Sequence, residues 1–281
     1  MRVTFDANAI DAWERLGPAQ REALSASFRA GNYEPLCTPE FLEECLAIGG
    51  TEKAARLPAI AGWLLELTSF DTFRYHGDII QSELQGQRDL HLRGSILESI
   101  QRLLREIASG SIPTDLADLT SASRQRKSEA AEFHRQQQKL FRERLHKFPK
   151  GVAHISFDDF RQKYWTPSEK QLTADILMRL GTAHPESRAA EILSRISEYP
   201  YLGAYLRTHA ALTFRYYARD RKIRDGDLYD ASQIVYLVGC KLIVSDDSGL
   251  RETCDLVWGS SRRAKTFAEF MNGVQSDSQS A

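Results

Sequence analysis

The sequence predicts an α/β fold carrying a large, mainly helical insertion, and three observations lead there. Short apolar stretches that run into carboxylates stand near both ends: Arg2-Val3-Thr4-Phe5 before Asp6, and Lys241-Leu242-Ile243-Val244 before Ser245-Asp246-Asp247. Helix signals accompany each, the alternation that an α/β layer requires. Between them, from about residue 52 to 215, the pattern is mainly helical with few β-branched runs. The expected division is an α/β core from residues 1–50 and 216–272, a helical insertion or cap over 51–215, and a disordered tail over 273–281.

Taken in order, Arg2–Phe5 reads as a buried strand ending at Asp6. A helix is expected from about Asp11 to Ala30, with Gly31-Asn32 as its stop. Pro35-Leu36-Cys37 is short and extended. Thr38-Pro39-Glu40 then opens a helix, with Thr38 as N-cap and Pro39 at the first helical position. Phe41, Leu42, Cys45 and Leu46 share one face of it, and Gly49-Gly50 closes it. In the middle block, breaks fall at Gly110–Pro113, Phe148–Gly151, His184-Pro185 and Tyr199-Pro200. Asp230–Gly239 reads as an apolar helix, Lys241–Val244 and Asp255–Trp258 as strands, and Thr266–Met271 as a short last helix. The polar, Ser-rich Gln275–Ala281 reads as disordered.

Hydrophobic residues make up 42% of the 281, enough for a real core. The formal net charge of -1 leaves nucleic-acid binding open, because what matters is where the cations sit. Two stretches concentrate them. Residues 124–150 carry nine Lys or Arg against three Glu and read as a basic helix. Arg215, Tyr216, Tyr217, Arg219, Arg221, Lys222 and Arg224 precede Asp225, where aromatics can stack bases and cations hold phosphates. The plainer reading of both is a solvated face. Cys37, Cys45, Cys240 and Cys254 lack zinc-site spacing and read as reduced, mostly buried thiols. MRVTFDANAID puts an acid where a signal peptide has its apolar run. Ile234–Val244 is too short to span a bilayer, so a cytoplasmic protein without a membrane partner is expected.

The acids carry the chemistry. In open parallel sheets the carboxyl ends of the strands form one ligand-binding edge. Asp6 and Asp247 would meet there, with Asp227 and Asp230 opening an apolar helix nearby and Glu44 one turn into the helix after Thr38. Clustered carboxylates repel one another unless a cation neutralises them. Mg²⁺ or Mn²⁺ suits an all-oxygen set, and such an ion activates water and stabilises a phosphodiester transition state. Each acid also has a bland role: Asp6 or Asp230 as a helix cap, Asp246-Asp247 as a surface turn, Glu44 as an exposed helical Glu.

The motifs Asp6-Ala7-Asn8, Cys37-Thr38-Pro39-Glu40-Phe41-Leu42-Glu43-Glu44, Asp230-Ala231-Ser232-Gln233, Ser245-Asp246-Asp247 and Phe267-Ala268-Glu269-Phe270 stand in this order. The chain thereby resembles the PIN-like nuclease family over about its first fifty and last sixty residues. The resemblance implies a three-layer fold with a central parallel sheet, and a metal-dependent endonuclease acting on RNA, with single-stranded DNA as a second substrate. It implies Asp6, Glu44, Asp230 and Asp247 as the acidic set; the residues themselves offer Asn8 and Ser245 as supports of a carboxylate and Arg215, Arg219 and Lys222 as contacts to nucleic acid. A toxin or defence role with an antitoxin partner would follow. Glu43, Asp227 and Asp246 stay open as alternatives, and the insertion is far larger than in compact members. A non-catalytic RNA-binding or assembly protein on the same scaffold is the second reading. A haloacid-dehalogenase-type phosphatase would want Asp where Asn8 stands. The histidines form no i, i+4 pair, so neither a zinc site nor a histidine base is expected. Phosphate-loop, dinucleotide and nucleophile-elbow motifs are absent from the sequence.

Overall fold

A computed structural model of the chain describes residues 1–47, 54–111, 155–218, 227–259 and 263–279, with four isolated positions between 121 and 132. The side chains of 217, 218, 228–230 and 277–279 lie outside that description. So do the Gly49-Gly50 stop, the basic stretch 124–150 apart from isolated positions, the Phe148–Gly151 break, Arg219, Lys222 and Asp225.

Five parallel strands form one sheet in the order β3-β2-β1-β4-β5. These are β1 (Arg2–Phe5), β2 (Glu34–Cys37), β3 (Asp71–Thr72), β4 (Leu242–Val244) and β5 (Ala264–Lys265). Val3 pairs with Leu242 and Phe5 with Val244, so these four side chains share one face. They join the cluster with Phe28, Phe41, Trp63 and Phe270, while Leu36 and Ile243 look into the other cluster. The architecture is therefore helix, sheet, helix, with an apolar core on each side.

The expected helix over 11–30 is two: α1 (Asn8–Glu14) and α2 (Pro18–Arg29). Gly17-Pro18 divides them, since Pro18 cannot donate into a continuing helix and instead opens the second. Gly31, at φ 75°, ends α2 in the left-handed conformation that glycine adopts freely. β2 and α3 (Pro39–Leu46) follow as expected, with the Thr38 hydroxyl accepting from the Phe41 amide at 3.3 Å.

The middle block is not set apart from the sheet. Residues 57–108 supply β3, α4 (Leu57–Thr68), α5 (His76–Leu84) and α6 (Ser95–Ala108). Trp63 and Leu104 pack with Phe5, whereas Ile79 and Ile80 pack on the opposite face. A helical series, α7 (Phe157–Phe160), α8 (Thr166–Arg179), α9 (Pro185–Ser194) and α10 (Pro200–Ala218), fills that opposite layer. The cores thus cut across the boundaries expected at residues 50 and 216.

Near the C-terminus, α11 (Asp227–Val235) leads to β4. Asp255–Trp258, expected as a strand, is the last turn of α12 (Ser248–Trp258). Its buried residues Leu250, Thr253, Cys254 and Val257 recur at helical spacing, which a four-residue window conceals. Residues 273–279 of the tail expected to be disordered belong to α13 (Phe267–Gln279), anchored by buried Phe267, Phe270, Met271 and Val274. All four cysteines are buried and outside any disulfide, and burial pushes the thiols of Cys240 and Cys254 up to about 12. No helix among the described residues is long and apolar enough to cross a membrane.

Gly239, between α11 and β4, packs its bare backbone against Phe73 and Tyr201. A Cβ there would lie 2.9 Å from the Phe73 ring and from the Tyr201 hydroxyl. Gly239→Ala is expected to destabilise the fold by about 1–3 kcal/mol, read from urea unfolding at constant m-value.

Candidate functional site

The strand order turns at β1, where neighbouring connections leave in opposite directions, and the crevice beyond the carboxyl ends of β1 and β4 is where such sheets bind ligands. Asp6 ends β1 at this point and is 1% exposed. It does not cap the first helix, which has no side-chain cap. Three side chains hold its carboxylate instead: Asn8 Nδ2 and Ser245 Oγ donate to Oδ2, both at 2.8 Å, and Gln233 Nε2 donates to Oδ1 at 3.3 Å. Burial, then the charge of Glu44, raises the Asp6 carboxyl to about 6. The Ser245 and Asn8 hydrogen bonds oppose the rise without cancelling it.

Ser245 links the two strand ends. Its hydroxyl donates to Asp6 and accepts from the Asp247 amide at 3.0 Å. Its carbonyl accepts from Arg251 Nη1 at 2.9 Å, which fixes the residue from both ends. Asp247 is the N-cap of α12: its Oδ1 accepts from the Gly249 and Leu250 amides. Arg215 Nη2 lies against Gly249 beside that oxygen, and a Cβ there would sit 2.8–2.9 Å from both, so one of the two side chains would have to shift.

The other expected residues divide as follows. Glu44 reaches Asp6 through its charge. Glu43 instead accepts from the Tyr75 hydroxyl. Asp227 accepts from the Tyr216 hydroxyl at 2.6 Å. Asp246 is exposed, and its Oδ1 accepts from the Phe267 amide at 3.0 Å, holding the start of α13. Asp230 lies on α11 one turn before Gln233, and its side chain is outside the described residues. Arg215 corrects the reading as a nucleic-acid contact. It is 5% exposed, donates to Thr253 at 2.7 Å and pairs with Glu252 at 3.3 Å. A short polar segment after an apolar helix looks solvated in sequence; the fold puts the last turn of α10 against α12.

Gln233 and Arg251 were not expected at the site. Gln233 stands inside the Asp230-Ala231-Ser232-Gln233 motif, three residues after the acid, and residues at that spacing share a helix face. That spacing was the available signal. Arg251 offered none, because its task is to hold a carbonyl. Among the described residues, no group of three or more His, Cys, Asp or Glu is placed to hold a metal ion.

Removing the Ser245 hydroxyl takes away a bond that lowers the Asp6 pKa. Ser245→Ala is therefore expected to move the Asp6 titration upward from about 6, readable from the carboxyl ¹³C shift. It should also destabilise by about 1–3 kcal/mol, because the buried Asp6 oxygen loses a donor. Comparison with protein-family models, curated proteins and solved structures gives no match for this chain.

Proposed function

We propose that the chain is a divalent-cation-dependent endonuclease hydrolysing phosphodiester bonds, foremost in RNA, at the β1–β4 carboxyl edge. One observation carries the reading. A buried carboxylate at the sheet's switch point is held near pKa 6, raised by burial and by a second acid. A carboxylate whose charge is opposed in this way is suited to a cation that relieves the repulsion.

The donor chemistry fits Mg²⁺ or Mn²⁺. Asp6, Glu44 and Ser245 offer only oxygen, and Gln233 Oε1 is buried with no hydrogen-bond partner among the described residues on the amide whose nitrogen touches Asp6. Asp6 and Glu44 would hold the ion, with Asp230 and Asp247 as the proposed remaining acids. Bound there, it would supply charge neutralisation and an activated water. The chain's own residues have distinct tasks. Asn8, Gln233 and Ser245 fix the Asp6 carboxylate, Arg251 fixes Ser245, and the α12 amides fix one Asp247 oxygen.

The second reading, a non-catalytic RNA-binding or assembly protein, has its own support. Asp246 and Asp247 both serve as caps of helix starts, which is a structural use of two expected ligands.

The deciding measurement is cleavage of a mixed pool of labelled RNA and single-stranded DNA, with Mg²⁺ or Mn²⁺ and with EDTA. Asp247→Asn is the informative variant, because Asn keeps the N-cap while removing the charge. Cleavage that needs the cation and falls at least about 10²-fold in the variant is expected. RNA binding without cleavage would establish the second reading.

A further inference from the structure

Glu40 and Glu44 are four residues apart on α3, so they share a face with Cβ atoms roughly 5–6 Å apart. Glu44 acts on Asp6. Glu40 is 3% exposed and both its oxygens are engaged. Oε2 lies 2.7 Å from the Tyr236 hydroxyl and Oε1 lies 2.6 Å from His76 Nδ1. Tyr236 is fully buried and also stands 2.9 Å from the Arg74 carbonyl. Burial and the Glu40 charge hold its phenol well above the usual range, so it stays a donor. The pair locks Glu40, and Glu40 in turn locks the imidazole.

His76 opens α5 just beyond β3, at the same carboxyl edge of the sheet as Asp6. Its ring stacks on Tyr205, with centroids 6.0 Å apart and planes at 19°. The side chain is 24% exposed, and among the described residues Nε2 has no hydrogen-bond partner. A buried carboxylate on Nδ1 fixes the ring's orientation and leaves Nε2 to act on something else.

We propose that His76 is a general acid for phosphodiester cleavage at this edge, with Glu40 as its positioning residue; this rests on the nuclease reading above. Water oxygen bonds to phosphorus and releases a proton to solvent. The phosphorus–oxygen bond to the departing ribose breaks, and the Nε2–H proton passes to that oxygen. Neutral His76 then regains a proton from solvent. Its ring meets Glu40 on α3 and Tyr205 on α10; His209 and Arg179 act on Tyr205, and Asp78 and the His76 backbone act on Tyr236.

The test uses the full chain with Mn²⁺ from about pH 5 to about pH 9, on RNA and on a nitrophenyl phosphodiester, whose leaving group needs no proton. His76→Gln is expected to lower kcat on RNA about 10²-fold with KM little changed, and to abolish the alkaline limb. It should leave nitrophenyl ester turnover nearly intact, and imidazole should restore part of the His76→Ala rate. Glu40→Gln should lower kcat on RNA with KM little changed and leave nitrophenyl ester turnover nearly intact, as a residue acting through His76 requires. Should the variants fail to fold, wild type decides alone: an alkaline limb on RNA that is missing on the activated ester is the expected signature. An identical profile on both substrates, or an equal loss on both in His76→Gln, overturns the proposal. If Asp6→Asn is dead while His76→Gln matches wild type, the acid role falls and the nuclease stands. If wild type cleaves neither substrate, both fall.

Discussion

Asp6→Asn is expected to give a protein more stable than wild type at pH 8 in EDTA, and one that divalent cations no longer stabilise. The Asp6 carboxyl rises from 3.8 to about 6 in the folded state. A raised folded pKa means the native state binds the proton more tightly than the unfolded chain. Its contribution is fully present below about pH 4 and is lost as pH rises through about 6. The shift of about two units corresponds to about 3 kcal/mol. Asn carries no such titration. Its amide can still meet Gln233, whose Oε1 lacks a partner among the described residues and can accept if the amide turns over. Melts of both proteins at pH 4.5, 6 and 8 read the difference, which should grow with pH. Adding Mn²⁺ to about 100 times its Kd should stabilise wild type by about 3 kcal/mol and leave the variant unmoved. A constant gap across pH would mean that Asp6 titrates normally and that the electrostatic argument for a cation fails.

Phe5→Ala is expected to cost about 3–5 kcal/mol, a large share of the 5–15 kcal/mol that holds a typical domain together. Phe5 is 1% exposed and stands among four aromatic rings. Trp63 lies at 5.5 Å, Phe270 at 5.6 Å, Phe28 at 6.3 Å and Phe41 at 6.5 Å between centroids. Those rings come from α2, α3, α4 and α13, so one deletion loosens four helices and the strand end that carries Asp6. Urea unfolding measures the loss. A cost below about 1 kcal/mol would mean that the face collapses into the cavity and is not close-packed.

The ends of the chain were the legible part. β1, β2 and β4 show as apolar runs, and the Thr38-Pro39 helix start follows from one hydroxyl cap and one fixed φ. Strand β3 has only Asp71 and Thr72 to signal it, too few for any period, and pairing with β2 creates it. Residues 90–92 then cover its free edge: the Leu92 amide donates to Thr72 and the Arg74 amide to Leu90. α12 was misread in its last turn because helical spacing appears only across the whole of Ser248–Trp258.

By itself the sequence determined that the chain is α/β, that its first strand and the strand before Ser245 run into acids, and that Asp6 and the Ser245-Asp246-Asp247 segment lie on one edge. Those properties are local: hydrophobic period, cap chemistry and the direction of parallel strands. Tertiary structure alone decided which acids share a charge environment. It gave Asp246 and Asp247 amides to accept from, gave Asp227 a tyrosine, buried Arg215 between helices, and joined Glu40 to a histidine thirty-six residues away. Burial and pairing set a carboxylate's chemistry, and both depend on neighbours that the chain brings together only by folding.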